Sequence, residues 1–300
     1  MDAITAAYAA GGVAVAAWVA TGAAVRVVPG VGQGARGAGG GAMTVERPTD
    51  ENPVVVVEGD ALEVLSRLPA GVRAATYFVV SDPPYGIGLD SHSEGSCMDG
   101  TQRRRKRPTR IAGDDGLEAA VAVLEWAEPR RIAACLFASP YRPLPGEWRN
   151  VLVRDKGPAV GGGGDPKKCW KRTAELVYVR GNGDLREGRD EAVLRFPVGT
   201  GEDFAFHPCQ KPVPLLRYLI RQLTWPGDTI IDPFAGSGTT GVAAIAEGRK
   251  AILIEKEPKY AGICRRRVAE AMGLGEGSLL AALQPSLFPE ESPRRAHSPA

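Results

Sequence analysis

The chain has 300 residues, a net charge of +2, 44% hydrophobic and 24% charged residues, the make-up of a folded globular protein with room for one α/β domain and an inserted segment. Such a small net charge excludes a polycation that binds nucleic acid by bulk charge, so any basic footprint must be local. The five cysteines (Cys97, Cys135, Cys169, Cys209, Cys264) and three histidines lack the paired spacing of a zinc site, and an odd, dispersed set fits reduced thiols in a cytoplasmic protein.

In chain order, residues 3–25 carry no charge. They are long enough for a membrane helix, but Ala and Gly dominate them and give a weak transfer energy. Asp2 stands where a signal peptide carries Lys or Arg. A glycine-rich run from Gly30 to Gly41 follows. Residues 1–45 are therefore expected to be a disordered or mis-started extension without a membrane role, with the functional chain beginning near Met43.

Residues 46–139 read as the first half of an α/β domain. Short apolar runs bounded by turn residues or charge predict strands at Val54–Glu58, Ala74–Val80 and Ile132–Ala138, with a helix over 60–68 carrying Leu62, Leu65 and Leu68. Residues 86–113 are polar and glycine-containing, and are expected to form a mobile loop. Residues 140–203, rich in Pro, Gly and charge, read as an inserted module with short strands near Val151–Arg154 and Glu175–Val179. Residues 204–272 complete the domain. Pro212 opens a helix over 213–223 with Leu216, Leu219, Ile220 and Leu223 on one face. Strands at Thr229–Asp232 and Ala251–Glu255 precede a helix over 258–272 carrying Tyr260, Ile263, Cys264 and Val268. Residues 273–300 are expected to be a disordered tail. Alternating strands and helices imply a mostly parallel sheet covered on both faces.

Two segments carry chemistry. Asp232-Pro233-Phe234-Ala235-Gly236-Ser237-Gly238-Thr239-Thr240-Gly241 follows a strand and opens a helix. Its G-x-G-x-x-G lets the backbone approach a ligand and the helix pack closely on the strand. Glu255 ends the next strand about 20 residues further on, where a carboxylate can grip ribose hydroxyls. This pattern suits a dinucleotide and S-adenosylmethionine alike. Too little chain follows Gly241 to complete a doubly wound sheet, so the remaining strands must come from the N-terminal half, in permuted order. The second segment, Ser81-Asp82-Pro83-Pro84-Tyr85, follows a strand. Its prolines fix the backbone and remove N–H donors, so a carboxylate, a carbonyl and an aromatic ring stand at the carboxyl edge of the sheet, where open α/β folds bind ligands.

In this order the two segments resemble the amino-group DNA methyltransferases of the β arrangement, in which D-P-P-Y comes before the target-recognition region and the F-x-G-x-G loop comes last. The match runs over residues 54–270. It includes the strand–turn Gly59-Asp60 and His207-Pro208-Cys209-Gln210-Lys211-Pro212, similar to the family's H-P-T-Q-K-P with Cys209 in place of Thr. The resemblance implies a Rossmann-like methyltransferase fold in permuted order, with residues 140–203 as an inserted target-recognition module. It implies S-adenosylmethionine as cofactor, with Phe234, Gly236 and Gly238 at the methionine end in a loop with Asp232, Ser237 and Thr239. Gln210 and Lys211 would lie at its carboxylate, Asp60 near its adenine and Glu255 on its ribose. Asp82, Pro83, Pro84 and Tyr85 would hold the target base, with double-stranded DNA as partner.

The chemistry suits those residues. An exocyclic amine is a poor nucleophile because its lone pair is delocalised into the ring. The Asp82 carboxylate and the Pro83 carbonyl can accept its hydrogens, orient the lone pair and stabilise the charge that develops. Tyr85 offers a face to a base swung out of the duplex. Aspartate before Pro-Pro-Tyr is the more usual residue in the adenine-N6 enzymes of this family and serine in the cytosine-N4 enzymes, so N6-adenine leads and N4-cytosine is the alternative. An NAD-dependent oxidoreductase is opposed by the late glycine loop, and a catalytically silent DNA-binding module by the intact Asp82 and Tyr85. Pro208-Cys209 also occurs in cytosine-C5 enzymes, but there the glycine loop comes first; Cys209 reads as a packing residue. Arg103-Arg104-Arg105-Lys106-Arg107 is expected to contact phosphates. Lys156, Lys167, Lys168, Lys171 and Arg172 add charge to the inserted module, with Lys168 and Lys171 the expected DNA contacts. Gln284-Pro285-Ser286-Leu287-Phe288 resembles the short peptides that dock on the bacterial sliding clamp. Oligomeric state stays open, a dimer included, as does the choice between a restriction–modification role and others.

Overall fold

The computed structural model describes residues 26–28, 45, 47–69, 71–72, 76–86, 116–158, 170–181, 183–197 and 210–274. They form one nine-stranded sheet in the order β1-β2-β9-β8-β3-β4-β6-β5-β7. The strands are β1 Arg26–Val28, β2 Val54–Glu58, β3 Tyr77–Ser81, β4 Ala133–Ala138, β5 Asn150–Asp155, β6 Ala174–Arg180, β7 Val193–Arg195, β8 Thr229–Asp232 and β9 Lys250–Glu255. From β1 to β4 every neighbour is parallel; β6 runs antiparallel to both β4 and β5.

The central strands are apolar at nearly every position because both faces are covered. Val54, Val56, Phe78, Val80, Ile230 and Leu253 point to the face covered by α3 (Val213–Leu223), α4 (Thr239–Ala246) and α5 (Pro258–Ala271). Val55, Val57, Tyr77, Val79, Ile231 and Ile252 point to the face covered by α1 (Ala61–Ser66) and α2 (Glu118–Ala127). The period-2 alternation of strand side chains thus splits one sheet's residues between two cores.

Two expectations need correction. Arg26–Val28 lies within the segment expected to be an extension, yet it pairs in parallel with Val55–Val57 as the edge strand. Residues 140–203 were expected as an inserted target-recognition module. Instead β5, β6 and β7 prolong the catalytic sheet, with β6 in register from Ala134↔Arg180 to Ala138↔Leu176. The reason is burial: Val177, Tyr178 and Val179 are apolar and covered, and β4 would otherwise present an unpaired edge. The segments 1–25, 87–115, 159–169, 198–209 and 275–300 lie outside the described residues. These include the Arg103–Arg107 run, Lys168, Cys209 and Gln284–Phe288. Among the described residues no helix is long and apolar enough to cross a membrane, and no cluster of His, Cys, Asp and Glu could hold a metal ion.

β8 and β3 are adjacent and parallel, but their crossovers leave in opposite directions. β8 runs through α4 to β9 on one side, and β3 through α2 to β4 on the other. This is the topological switch point, where a crevice opens beyond the carboxyl ends of the strands.

The α3–α4 side of this frame is fastened by a charge. Arg249 is 1% exposed. Its guanidinium donates to the Thr224 carbonyl at 2.6 Å, the Thr224 hydroxyl at 3.1 Å and the Glu247 carbonyl, tying the end of α3 to the end of α4 just before β9. Arg249→Ala is expected to strand those acceptors and lower the unfolding free energy by on the order of 3 kcal/mol, measured by denaturant titration; a loss within about 0.5 kcal/mol, the ordinary range for a surface position, would contradict it.

Candidate active site

The crevice at the switch point is built by the last residues of β8 and β3. Ser81, the final residue of β3, is buried and donates through its hydroxyl to the Asp232 carboxylate at 2.5 Å. Asp232 also accepts from the Phe234 N–H at 3.1 Å, and the Thr240 hydroxyl bonds it. The two motif segments, distant in sequence, thus share a hydrogen bond. Burial pushes the Asp232 carboxyl up to about 6, against the hydrogen bonds from Ser81, Thr240 and Phe234.

After β8 the chain turns through Gly236 (φ +52°) and Gly238 (φ +82°) into α4. The two glycines differ. A Cβ on Gly238 would sit 2.7 Å from Cys264 Sγ and 3.1 Å from Cys264 Cα, whereas a Cβ on Gly236 would meet nothing within 4 Å. Gly238 serves the fold by letting α4 approach α5; Gly236 keeps its backbone bare toward open space. Glu255, ending β9, accepts from the Gly236 N–H at 2.8 Å through one oxygen and from the Glu257 N–H at 2.8 Å through the other. Burial raises its carboxyl above the usual range. The Ser237 hydroxyl donates to the Gln210 side-chain carbonyl at 3.0 Å, and the buried Arg267 guanidinium donates to the Ser237 carbonyl at 2.8 Å and the Thr239 hydroxyl at 3.2 Å. Gln210, Ser237, Thr239 and Gly236 therefore stand together. Asp60, two residues beyond β2, caps α1 by accepting from the Leu62 and Glu63 N–H groups and faces Lys256 at 3.3 Å.

Asp82 stands just beyond β3 and is about one quarter exposed at its side chain. Its Oδ1 accepts from the Tyr85 hydroxyl at 2.7 Å. Its Oδ2 accepts from the Lys211 ammonium at 2.6 Å. Lys211, expected at the cofactor's carboxylate, thus lies on Asp82, with its Nζ 5.3 Å from the centre of the Tyr85 ring and 5.2 Å from that of Phe137. Behind it stands Glu175 on β6, which the sequence reading did not single out. Its carboxylate lies 3.7 Å from Lys211 Nζ, 2.7 Å from Arg154 and 3.8 Å from Lys156. Arg154 and Lys156 are buried, so Lys156 belongs to this cluster and not to a DNA-facing surface. Lys171 is exposed and donates to the Pro158 carbonyl at 3.4 Å, and Arg172 stacks over the Tyr141 ring at 5.1 Å. The signal that could have revealed Glu175 is a carboxylate placed just ahead of the apolar run Leu176–Val179, with a basic residue, Arg154, on the strand before it.

The fold is that of the S-adenosylmethionine-dependent methyltransferases. The PvuII DNA methyltransferase (cytosine-N4-specific) superposes with a TM-score of 0.52 at 16% identity, over 81% of this chain and 93% of that one. The M1.HpyAVI–SAM complex superposes at 0.50 and 18% identity, over 72% and 98%. A family model described as DNA methylase matches residues 147–266. The DNA adenine methyltransferase YhdJ of Escherichia coli (strain K12) is 48% identical over 67 residues, which span 22% of this chain and only 23% of that protein. YubD of the same organism, which carries a methylase name, is 27% identical over 222 residues, 71% of this chain and 89% of that protein. Residues 147–266 thus carry the match to the DNA methylase family, and the chain as a whole is similar to amino-group DNA methyltransferases, the N6-adenine and N4-cytosine enzymes.

The two glycines give opposite expectations. Gly238→Ala combines a left-handed backbone with a clash and is expected to lower stability by on the order of 3 kcal/mol. Gly236→Ala is expected to cost about 1–2 kcal/mol while abolishing the thermal stabilisation given by S-adenosylhomocysteine. Melting curves with and without that ligand check both, and the reverse ranking would contradict the assignment.

Asp232 gives a pH signature. Its folded value of about 6 stands above the ordinary 3.8, so its contribution to stability is complete below 3.8 and is lost as pH rises through about 6. Between pH 4 and 7 the wild type should lose on the order of 3 kcal/mol relative to Asp232→Asn; parallel stability–pH curves would contradict this.

Proposed function

We propose that this chain transfers a methyl group from S-adenosylmethionine to the N6 amine of adenine in DNA. The observation that carries this reading is the role of Ser81. The sequence holds both a serine and an aspartate before Pro-Pro-Tyr, and the two suit different members of the family. Ser81 is buried and committed to Asp232, which leaves Asp82, beyond the strand end, as the group that can meet a base. The likeness to a relative named DNA adenine methyltransferase supports the same choice.

The glycine turn suits the cofactor. The bare Gly236 faces open space and Glu255 ends the neighbouring strand, the arrangement a ribose and a methionine moiety need. Bound there, S-adenosylmethionine supplies an electrophilic methyl on a sulfonium. The residues of the chain do the rest. A carboxylate has about four acceptor positions, and Tyr85 and Lys211 take one each on Asp82. The remaining ones accept an N–H of the adenine amine and the Pro83 carbonyl accepts the other, which turns the nitrogen lone pair toward the methyl group. As the N–C bond forms and the S–C bond breaks, positive charge grows on the nitrogen, and the fixed carboxylate stabilises it in a site of low dielectric. The electron pair of the broken S–C bond stays on sulfur, which leaves as S-adenosylhomocysteine, and one proton passes from the nitrogen to water. The Tyr85 ring offers a stacking face to the extruded base. Lys171, with Lys168 and the Arg103–Arg107 run, supplies charge for phosphates.

Nucleoside analysis of DNA treated with the purified protein and S-adenosylmethionine tests the base assignment. N6-methyladenine is expected as the product; N4-methylcytosine alone would overturn the choice of adenine while leaving the amino-group chemistry intact.

A further inference from the structure

We propose that Glu175 is a positioning residue for the methyl transfer, acting through the ammonium of Lys211 to hold the Asp82 carboxylate in place. This rests on the reading of Asp82 given above.

The argument starts from the cost of burying a lysine. The Lys211 side chain is 7% exposed and sits against two aromatic rings. An ammonium withdrawn from water keeps its proton only beside fixed anions. Asp82 is one, but it must also serve the substrate, and at about one quarter exposed it is partly screened. Glu175 is the other. It projects from the antiparallel strand β6, with its side chain 13% exposed and its carboxylate 3.7 Å from the Lys211 ammonium. Burial alone would keep both groups neutral. Instead the Asp82 and Glu175 charges hold Lys211 above its usual range, while Lys211, Arg154 and Lys156 hold Glu175 below its own. The groups facing Lys211 are thus Asp82 after β3, Glu175 on β6, Arg154 on β5, Lys156 just after it, and the Tyr85 and Phe137 rings.

The arrangement has a direction. Glu175 anchors Lys211 from behind, and Lys211 fixes Asp82 Oδ2 from the side. Tyr85 fixes Oδ1. The carboxylate therefore cannot rotate when the base arrives, and its remaining acceptor positions keep one aim. That preorganisation serves the transition state more than ground-state binding, so its loss falls on kcat more than on KM.

The test compares wild type with Glu175→Gln, both with folding verified by thermal melting. Glu175→Gln is expected to lower kcat about 10- to 100-fold, with KM for DNA and Kd for S-adenosylhomocysteine each within threefold. The alkaline fall of its kcat–pH profile should move down by at least one unit, because Lys211 sheds its proton more readily without its second anion. Glu175→Asp should recover part of the rate. Should Glu175→Gln not fold, Glu175→Gln/Arg154→Gln removes the stranded cation as well. The shift is then smaller but of the same sign, because Glu175 acts on Lys211 more strongly than Arg154 does. An unchanged kcat, or a lowered kcat with an unmoved alkaline limb, would overturn the proposal. If wild type itself transfers no methyl group to DNA amines, the reading of the site fails instead, and the two failures are distinguishable.

Discussion

The structure depends on one adjacency, that of β8 with β3. Two parallel strands, one late in the chain and one early, lie side by side with their carboxyl ends open to the same crevice. The buried hydrogen bond from Ser81 to Asp232 closes the contact between residues 151 positions apart. Without it, the glycine turn and the D-P-P-Y segment would be two unrelated loops. With it, the glycine turn and Asp82 stand at the ends of neighbouring strands and open on one crevice. The strand order explains why the cofactor loop can come last in the sequence: the sheet needs β8 beside β3 and does not depend on which is made first.

Around this adjacency the molecule concentrates buried charge. Asp232 is a carboxylate forced into an apolar environment and held by hydroxyl and amide donors. Beside it Asp82, Lys211, Glu175, Arg154 and Lys156 form a continuous set of ion pairs reaching from the crevice to the antiparallel strands. Such sets are a poor source of net stability, because desolvation offsets most of the attraction. They are better suited to fixing the direction of one group. This gives β5 and β6 a part in the site: they carry the charges that stand behind the lysine.

Much of this was legible in the sequence. Val54–Glu58, Val213–Leu223 and Thr229–Asp232 fall where apolar runs, Pro212 and turn residues put them, because local pattern and tertiary burial agree there. The glycine turn and Asp82 could be singled out as candidates because their chemistry demands contiguous residues. Glu175 was not singled out, because its local mark, a carboxylate ahead of an apolar run, does not say what it will meet; that follows only from the long-range pairing of β6 in the sheet, which leaves it 3.7 Å from Lys211. β5 and β6 were legible as strands but not as part of the main sheet, since nothing in a short strand states its partner. Arg26–Val28 was set aside because three apolar and basic residues beside a glycine-rich run carry no periodic signal.

The central claim is that Asp82 and the glycine turn belong to one methyl-transfer site. It is tested most directly by following labelled methyl groups from S-adenosylmethionine into DNA with wild type and Asp82→Ala, with S-adenosylhomocysteine affinity measured on the same preparations. The account requires that Asp82→Ala keep the affinity and lose at least about 100-fold in transfer. Transfer at the wild-type rate by Asp82→Ala would contradict it.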